Sequence, residues 1–234
     1  GGLTAIEDGD VSLTFSELAE HAQSACRATM AAGLRHGDRA AIQAPNVWEW
    51  VVAALGIHLA GGILVPINTR YKGVETQFVL RQSGAKLLFT VQGFLGNDYV
   101  STLAGVGAPD SLEKIVVLRG DVPPGCESWS AFLSAAEVGD EPPTVSPDDL
   151  SDLLYTSGTT GAPKGVMTTH SQNCRAFWSW TEVVGLAAGD RYLLVNPFFH
   201  AFGYKAGWLA CLLRGATILP HPVFNVDDVL KRIP

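Results

Sequence analysis

The chain has 234 residues, 47% of them hydrophobic and 17% charged, which is enough apolar material for a substantial core and argues against disorder. Its formal charge is −7 and no Lys/Arg stripe is present, so long-range attraction to nucleic acid or to an anionic membrane is excluded and an anionic ligand needs a local site. The longest apolar stretch, 51–67, carries His58 and Pro66 and is too short and broken to span a bilayer.

From the N-terminus, Thr14-Phe15-Ser16-Glu17 reads as a capping box, the Thr14 hydroxyl and the Glu17 carboxylate satisfying free amides at a helix start. That helix is predicted to run to about Gly33, a suitable C-terminal cap. A strand over 38–44 follows, then a helix capped by Asn46 and ending near Ala60. The pattern continues with a strand over 63–67, a helix over 74–82, strands over 86–90 and 114–118, and a short helix over 129–135.

Residues 137–149, with Pro142, Pro143 and Pro147, suit a linker, because prolines fix the backbone and lack amide donors. The expected division is a first α/β unit over 1–145 and the start of a second over 146–234. In the second, strands are predicted over 152–156 and 165–169, then a helix over 171–184 whose Trp178 and Trp180 read as core. A strand over 191–195, a helix over 207–213, a strand over 216–219 and a helix from 226 complete the series. Alternating strand and helix implies right-handed crossovers and largely parallel sheets with flanking helices, a doubly wound α/β fold.

Cys26, Cys126, Cys174 and Cys211 lie far apart without a C-x-x-C pair and read as thiols in a reducing compartment. No basic segment followed by an apolar one opens the chain, so the expected location is cytoplasmic.

The strongest chemical signal is Tyr155-Thr156-Ser157-Gly158-Thr159-Thr160-Gly161-Ala162-Pro163-Lys164-Gly165. Its glycines let the backbone turn tightly and present amides, its hydroxyls add short donors, and Lys164 adds a cation, a set that can surround a polyphosphate. It is not a Walker A loop: position 163 is Pro, the residue after Lys164 is Gly165, and a strand follows where a helix would be needed. A polar hairpin turn with an incidental lysine is the plainer alternative. The second signal, Asn196-Pro197-Phe198-Phe199-His200-Ala201-Phe202-Gly203-Tyr204-Lys205, follows a strand end, where ligand sites of open α/β sheets collect. Taken alone it also reads as core phenylalanines beside a satisfied buried histidine. Lys205 either neutralises a substrate oxygen or is solvated. His170 has no clear role.

The loop resembles the signature of the adenylate-forming superfamily, which comprises acyl-CoA synthetases, luciferases and nonribosomal peptide adenylation domains. Thr14-Phe15-Ser16-Glu17-Leu18, Gly37-Asp38-Arg39-Ala40-Ala41-Ile42 and Gly61-Gly62-Ile63-Leu64-Val65-Pro66-Ile67-Asn68 are similar to further landmarks in the same order. The segments 196–207 and 216–221 resemble actinobacterial FadD-type ligases, some of which activate ring-bearing propanoates of sterol breakdown.

The resemblance implies an ATP-dependent acyl-CoA ligase. Thr156, Ser157, Gly158, Thr159, Thr160, Gly161, Lys164 and Gly165 would hold the phosphates, with Thr156 near Mg²⁺ and Lys164 stabilising pyrophosphate. His200 would stand by the substrate carboxylate, in a pocket formed with Phe199, Phe202, Gly203, Tyr204 and Lys205. The implied partners are a carboxylic acid, ATP and CoA, with a homodimer left open. Other adenylate-forming activities (a fatty acyl–AMP ligase, an amino-acid adenylation domain) and a non-catalytic nucleotide-binding module are the alternatives. The superfamily's later landmarks, including the metal-linked Glu, the ribose Asp and the adenylation lysine, do not occur by residue 234. The resemblance is therefore to an N-terminal portion, not expected to adenylate alone.

Overall fold

A computed structural model describes residues 2–135, 141–156 and 163–232. The first elements in chain order are β1 (Thr4–Asp8), β2 (Val11–Thr14), α1 (Phe15–Ala31), β3 (Arg39–Gln43), α2 (Trp48–Leu59), β4 (Ile63–Pro66) and α3 (Gly73–Ser83). Next come β5 (Leu87–Val91), α4 (Tyr99–Val106), β6 (Lys114–Arg119), β7 (Glu127–Ser128), α5 (Trp129–Ser134), β8 (Leu150–Thr156), β9 (Lys164–Thr169) and α6 (His170–Val184). After β10 (Arg191–Leu194), a π-helical segment, Phe202–Leu209, runs into α7 (Ala210–Arg214), followed by β11 (Thr217–Pro220) and α8 (Val226–Arg232).

The strands form two sheets. The larger has the order β7-β6-β5-β3-β4-β8-β9 and is parallel except for the terminal β8–β9 pair. The smaller, β10-β11-β1-β2, is parallel except for the β1–β2 hairpin. The expected α/β class with largely parallel sheets and flanking helices is therefore what the chain adopts. Each sheet takes strands from both sides of the proline-rich stretch: β8 pairs with β4, and β1 pairs with β11. A division at 145/146 is accordingly not a division between sheets.

Helix α2 carries the core. It is apolar apart from Glu49 and His58, which lie about half a turn apart around its axis, and Trp50, Val51, Val52, Ala53, Ala54 and Ile57 are fully buried. A helix without a polar face can only sit between other layers. It packs on α1 so closely that a Cβ on Gly56 would lie 2.6 Å from Cβ of Ala25. Trp50 meets Phe198 and Trp208 edge-on, at ring separations of 5.7 Å and 5.8 Å. These contacts pin the 198–208 segment to the core, and loss of such an indole costs about 3–5 kcal/mol.

The capping box at Thr14 forms as predicted: the Glu17 amide donates to Thr14 Oγ1 at 3.2 Å and the Thr14 amide to Glu17 Oε2 at 2.8 Å. Asn46 does not cap α2. Val47 occupies that position without a side-chain cap, and Asn46 bridges two distant segments instead. Its Nδ2 donates to the Leu194 and Asn196 carbonyls, and its Oδ1 accepts from the Phe198 amide at 2.8 Å. The expected helix over 207–213 begins earlier, as a π-helical segment bent at Gly207. Trp178 is not core: it is 44% exposed, with the Arg214 guanidinium 4.8 Å from its ring. β1, β2 and α4 were passed over by the periodicity reading.

Candidate active site

The antiparallel β8–β9 hairpin positions the glycine- and hydroxyl-rich loop. Thr156 pairs with Lys164 and Tyr155 with Gly165, so the loop connects two strands, as its sequence requires. Thr156 and Lys164 are both exposed at this end of the hairpin. Ser157, Gly158, Thr159, Thr160 and Gly161 lie outside the described residues.

A cavity of about 760 Å³ opens beside the hairpin. Thr156, Val166, Met167 and Thr168 contribute one wall, Gln172, Asn173, Ala176 and Phe177 of α6 another, and Phe199, His200, Ala201 and Lys205 a third. The fold thus brings Tyr155 and Thr156, at the start of the first motif, and Phe199, His200, Ala201 and Lys205 of the second to one cavity, whereas Lys164 and Gly165 do not line it. Three residues assigned to this pocket from sequence are not on its wall. Phe202 is 49% exposed and packs edge-on against Trp180. Gly203 is a close-approach position, where a Cβ would lie 2.2 Å from the Pro197 carbonyl oxygen. Tyr204 is buried in the interior, its hydroxyl 3.0 Å from His58 Nε2.

Phe199 and His200 also border a second cavity, of about 630 Å³, that includes Asn68, Arg70 and Lys72. His200 is therefore a partition between two spaces. Partial burial of its imidazole, and then the nearby Arg70 guanidinium, hold its pKa below the usual histidine range. A neutral ring can both donate and accept a hydrogen bond.

Lys205 is not solvated, which excludes one of its two sequence readings, and its charge is already paired. It is 4% exposed and forms an ion pair with fully buried Asp152 at 2.9 Å. Its Nζ also donates to Thr168 Oγ1 at 2.8 Å. The Asp152 carboxylate accepts from Thr168 Oγ1, Ser151 Oγ and Asn173 Nδ2 at 2.8, 2.6 and 2.6 Å. Sequence reasoning passed over Asp152, although an acid in the apolar run Leu153-Leu154-Tyr155 was a visible signal. Asn173, Ala176 and Phe177 were also missed; their spacing on α6 was the available signal. His170 opens α6 with its ring 5.2 Å from that of His58. Burial, followed by repulsion from His170, pushes the His58 pKa down to about 4.

No group of three or more His, Cys, Asp or Glu residues suited to a metal occurs among the described residues. The Thr156 hydroxyl is an oxygen donor of the kind Mg²⁺ accepts, but it supplies only one. No helix among the described residues is long and apolar enough to cross a membrane.

The chain belongs to the AMP-binding enzyme family, whose pattern it matches over residues 1–233. It is 43% identical, over its full length, to 3-[(3aS,4S,7aS)-7a-methyl-1,5-dioxo-octahydro-1H-inden-4-yl]propanoyl:CoA ligase of Rhodococcus jostii, and covers 47% of that protein. It is 41% identical over 98% of its length to the ligase of the same name from Mycobacterium tuberculosis, covering 46% of it. The crystal structure of the anthranilate CoA ligase AuaEII in complex with anthranoyl-AMP superimposes with a TM-score of 0.86 at 28% identity, over 98% of this chain and 44% of that one. The chain spans about half the length of these curated relatives.

Proposed function

We propose that the protein containing this chain is an ATP-dependent acyl-CoA ligase. A carboxylate attacks the α-phosphorus of ATP, breaking the bond to pyrophosphate and forming an acyl-adenylate. The thiol of CoA then attacks the acyl carbon, and AMP leaves. Carboxylates are poor acyl donors, so adenylation supplies the leaving group.

The single observation that carries this reading is the shared cavity, in which Thr156 at the base of the phosphate loop and Phe199-His200 face one space. Departure of pyrophosphate concentrates negative charge, which preorganised amides, hydroxyls and a cation would stabilise. That role falls to Thr156, Ser157, Gly158, Thr159, Thr160, Gly161, Lys164 and Gly165. Mg²⁺ would come with the nucleotide, held chiefly by its phosphates and water, and the Thr156 hydroxyl would offer it one oxygen. Neutral His200 would hydrogen-bond the substrate carboxylate, and Phe199 would pack on the acyl group.

The acid is proposed to be a ring-bearing propanoate with oxo substituents, as the names of two relatives more than 40% identical suggest. The cavity's largely apolar wall and its volume suit such a group. The test uses the full-length protein with ATP, Mg²⁺ and a panel of straight-chain, aromatic and bicyclic oxo acids. Acid-dependent pyrophosphate exchange followed by CoA thioester formation is the expected result. Acyl-AMP that never passes to CoA would indicate an acyl-AMP ligase, and nucleotide binding without acid-dependent turnover would overturn the assignment.

A further inference from the structure

A buried ion pair on the wall of a substrate cavity needs an explanation, because burying two charges is expensive and a hydrophobic pair of similar volume is often at least as stable. Asp152 and Lys205 are 0% and 4% exposed. The acid is saturated. One carboxylate oxygen takes Lys205 and Thr168, and the other takes Ser151 and Asn173. The base is not. An ammonium has three N–H donors, and among the described residues Lys205 has two oxygen acceptors, Asp152 Oδ1 and Thr168 Oγ1. The face of Tyr204 lies 5.7 Å from Nζ, within reach of an electrostatic contact but not of a hydrogen bond to oxygen. Lys205 itself forms part of the cavity wall.

We propose that Lys205, fixed by Asp152, donates its remaining hydrogen bond to an uncharged oxygen, a ring carbonyl, on the acid that fills the cavity. This rests on the ligase reading above and deepens it. Leu154, Val166, Met167, Ala176 and Phe177 give that acid apolar area but no orientation. A charge-assisted donor is stronger than the neutral hydroxyls and amides that share the wall, Thr156, Thr168, Gln172 and Asn173, so it decides which way a ring faces. The charge balance selects the oxygen's type. Asp152 already neutralises Lys205, so a second carboxylate would bring an unpaired negative charge beside a buried one. A carbonyl completes the ammonium's hydrogen bonding and leaves the net charge at zero. His200 at one part of the wall and Lys205 at another would then hold opposite ends of the same molecule, the carboxylate and the ring oxygen.

The experiment measures kcat/KM for CoA thioester formation by the full-length enzyme on two acids with one ring skeleton, bearing either a carbonyl or a methylene at the same ring position. Wild type is expected to favour the oxo acid by about tenfold to a hundredfold, the range of a hydrogen bond to a charged group. The double variant D152L/K205M removes both charges together, and the ratio is expected to fall towards one. A wild-type ratio near one, or an undiminished ratio in the folded double variant, overturns the proposal. If the variant does not fold, the wild-type pair of acids decides alone. A third acid with a carboxylate at that position should be the poorest of the polar pair, and its being preferred to the ketone overturns the charge argument. Should wild type form no CoA thioester from any acid, both readings fail; equal turnover of oxo and methylene acids sinks this one only.

Discussion

The two ends of the β8–β9 hairpin are built on opposite principles. At the loop end, Thr156 and Lys164 are exposed, and the proposed chemistry would lie in a run of small polar residues adjacent in sequence. At the other end, Asp152 and Thr168 are cross-strand partners whose polar atoms are tied into a buried cluster with Ser151, Asn173 and Lys205. The cluster spans residues 151–205 and is assembled only by the fold. The loop end can change without disturbing the core. The buried end cannot, because its members satisfy one another and removal of one leaves a buried polar or charged group unpaired. Function and stability should therefore separate along one hairpin.

The largest loss of stability is expected for Lys205→Met. It leaves the Asp152 carboxylate buried beside no cation, a situation that costs about 3–5 kcal/mol. The paired change D152L/K205M should cost clearly less, and denaturant midpoints of the two variants check the order. If the single and double changes cost the same, the two residues are not coupled and the contrast between the hairpin ends is weakened. Next comes acid sensitivity. His58 faces His170, the Tyr204 hydroxyl, Asp152 and Lys205, and its folded pKa is about 4 against an ordinary value of 6.5. Above pH 6.5 both folded and unfolded states carry a neutral ring. As the pH falls from 6.5 towards 4, the unfolded chain binds a proton that the fold refuses, so stability declines across that window. The loss attributable to His58 between pH 7 and pH 5 is about 2 kcal/mol. His58→Gln, which keeps a polar partner for Tyr204, should remove that share of the pH dependence in urea titrations. A smaller effect, about 1 kcal/mol, is expected for Thr169→Ala. Thr169 Oγ1 accepts from the Gln172 amide, so the change leaves that one donor without its acceptor where the hairpin enters α6, while the amide of residue 169 keeps Gln172 Oε1.

The same contrast explains what the sequence made legible. Capping at Thr14, the strand on each side of the glycine- and hydroxyl-rich stretch and the meeting of the His200 segment with Thr156 all depend on residues near one another in the chain, or on a strand end. Asn46 was misread because a good capping residue was needed more by the Leu194–Phe198 segment, some 150 positions away. Tyr204 and Phe202 follow His200 in sequence, but the π-helical turn sends one into the core and the other to the surface. Lys205 was left open between a substrate oxygen and solvent because nothing near it in the chain points to Asp152, its partner 53 residues earlier. Long-range polar satisfaction leaves almost no periodic trace, and that is why composition and spacing did not find it.

The smallest change in stability, and one of the largest in activity, is expected at Lys164. Its side chain is exposed and none of the hydrogen bonds or ion pairs among the described residues uses it, so Lys164→Met should alter the unfolding free energy by less than about 0.5 kcal/mol. If the loop holds departing pyrophosphate, the same change in the full-length enzyme removes a cation from the point where charge develops. Turnover should then fall by about 10²–10³-fold, the usual scale for loss of one such stabilising group. The fall should appear in kcat as well as in ATP affinity, because the interaction strengthens as the phosphoanhydride breaks. Measuring stability and turnover on one preparation separates the outcomes. A folded variant with undiminished turnover would mean that the loop end is only a polar turn. A variant that loses stability and turnover together would mean that the hairpin's two ends are not independent.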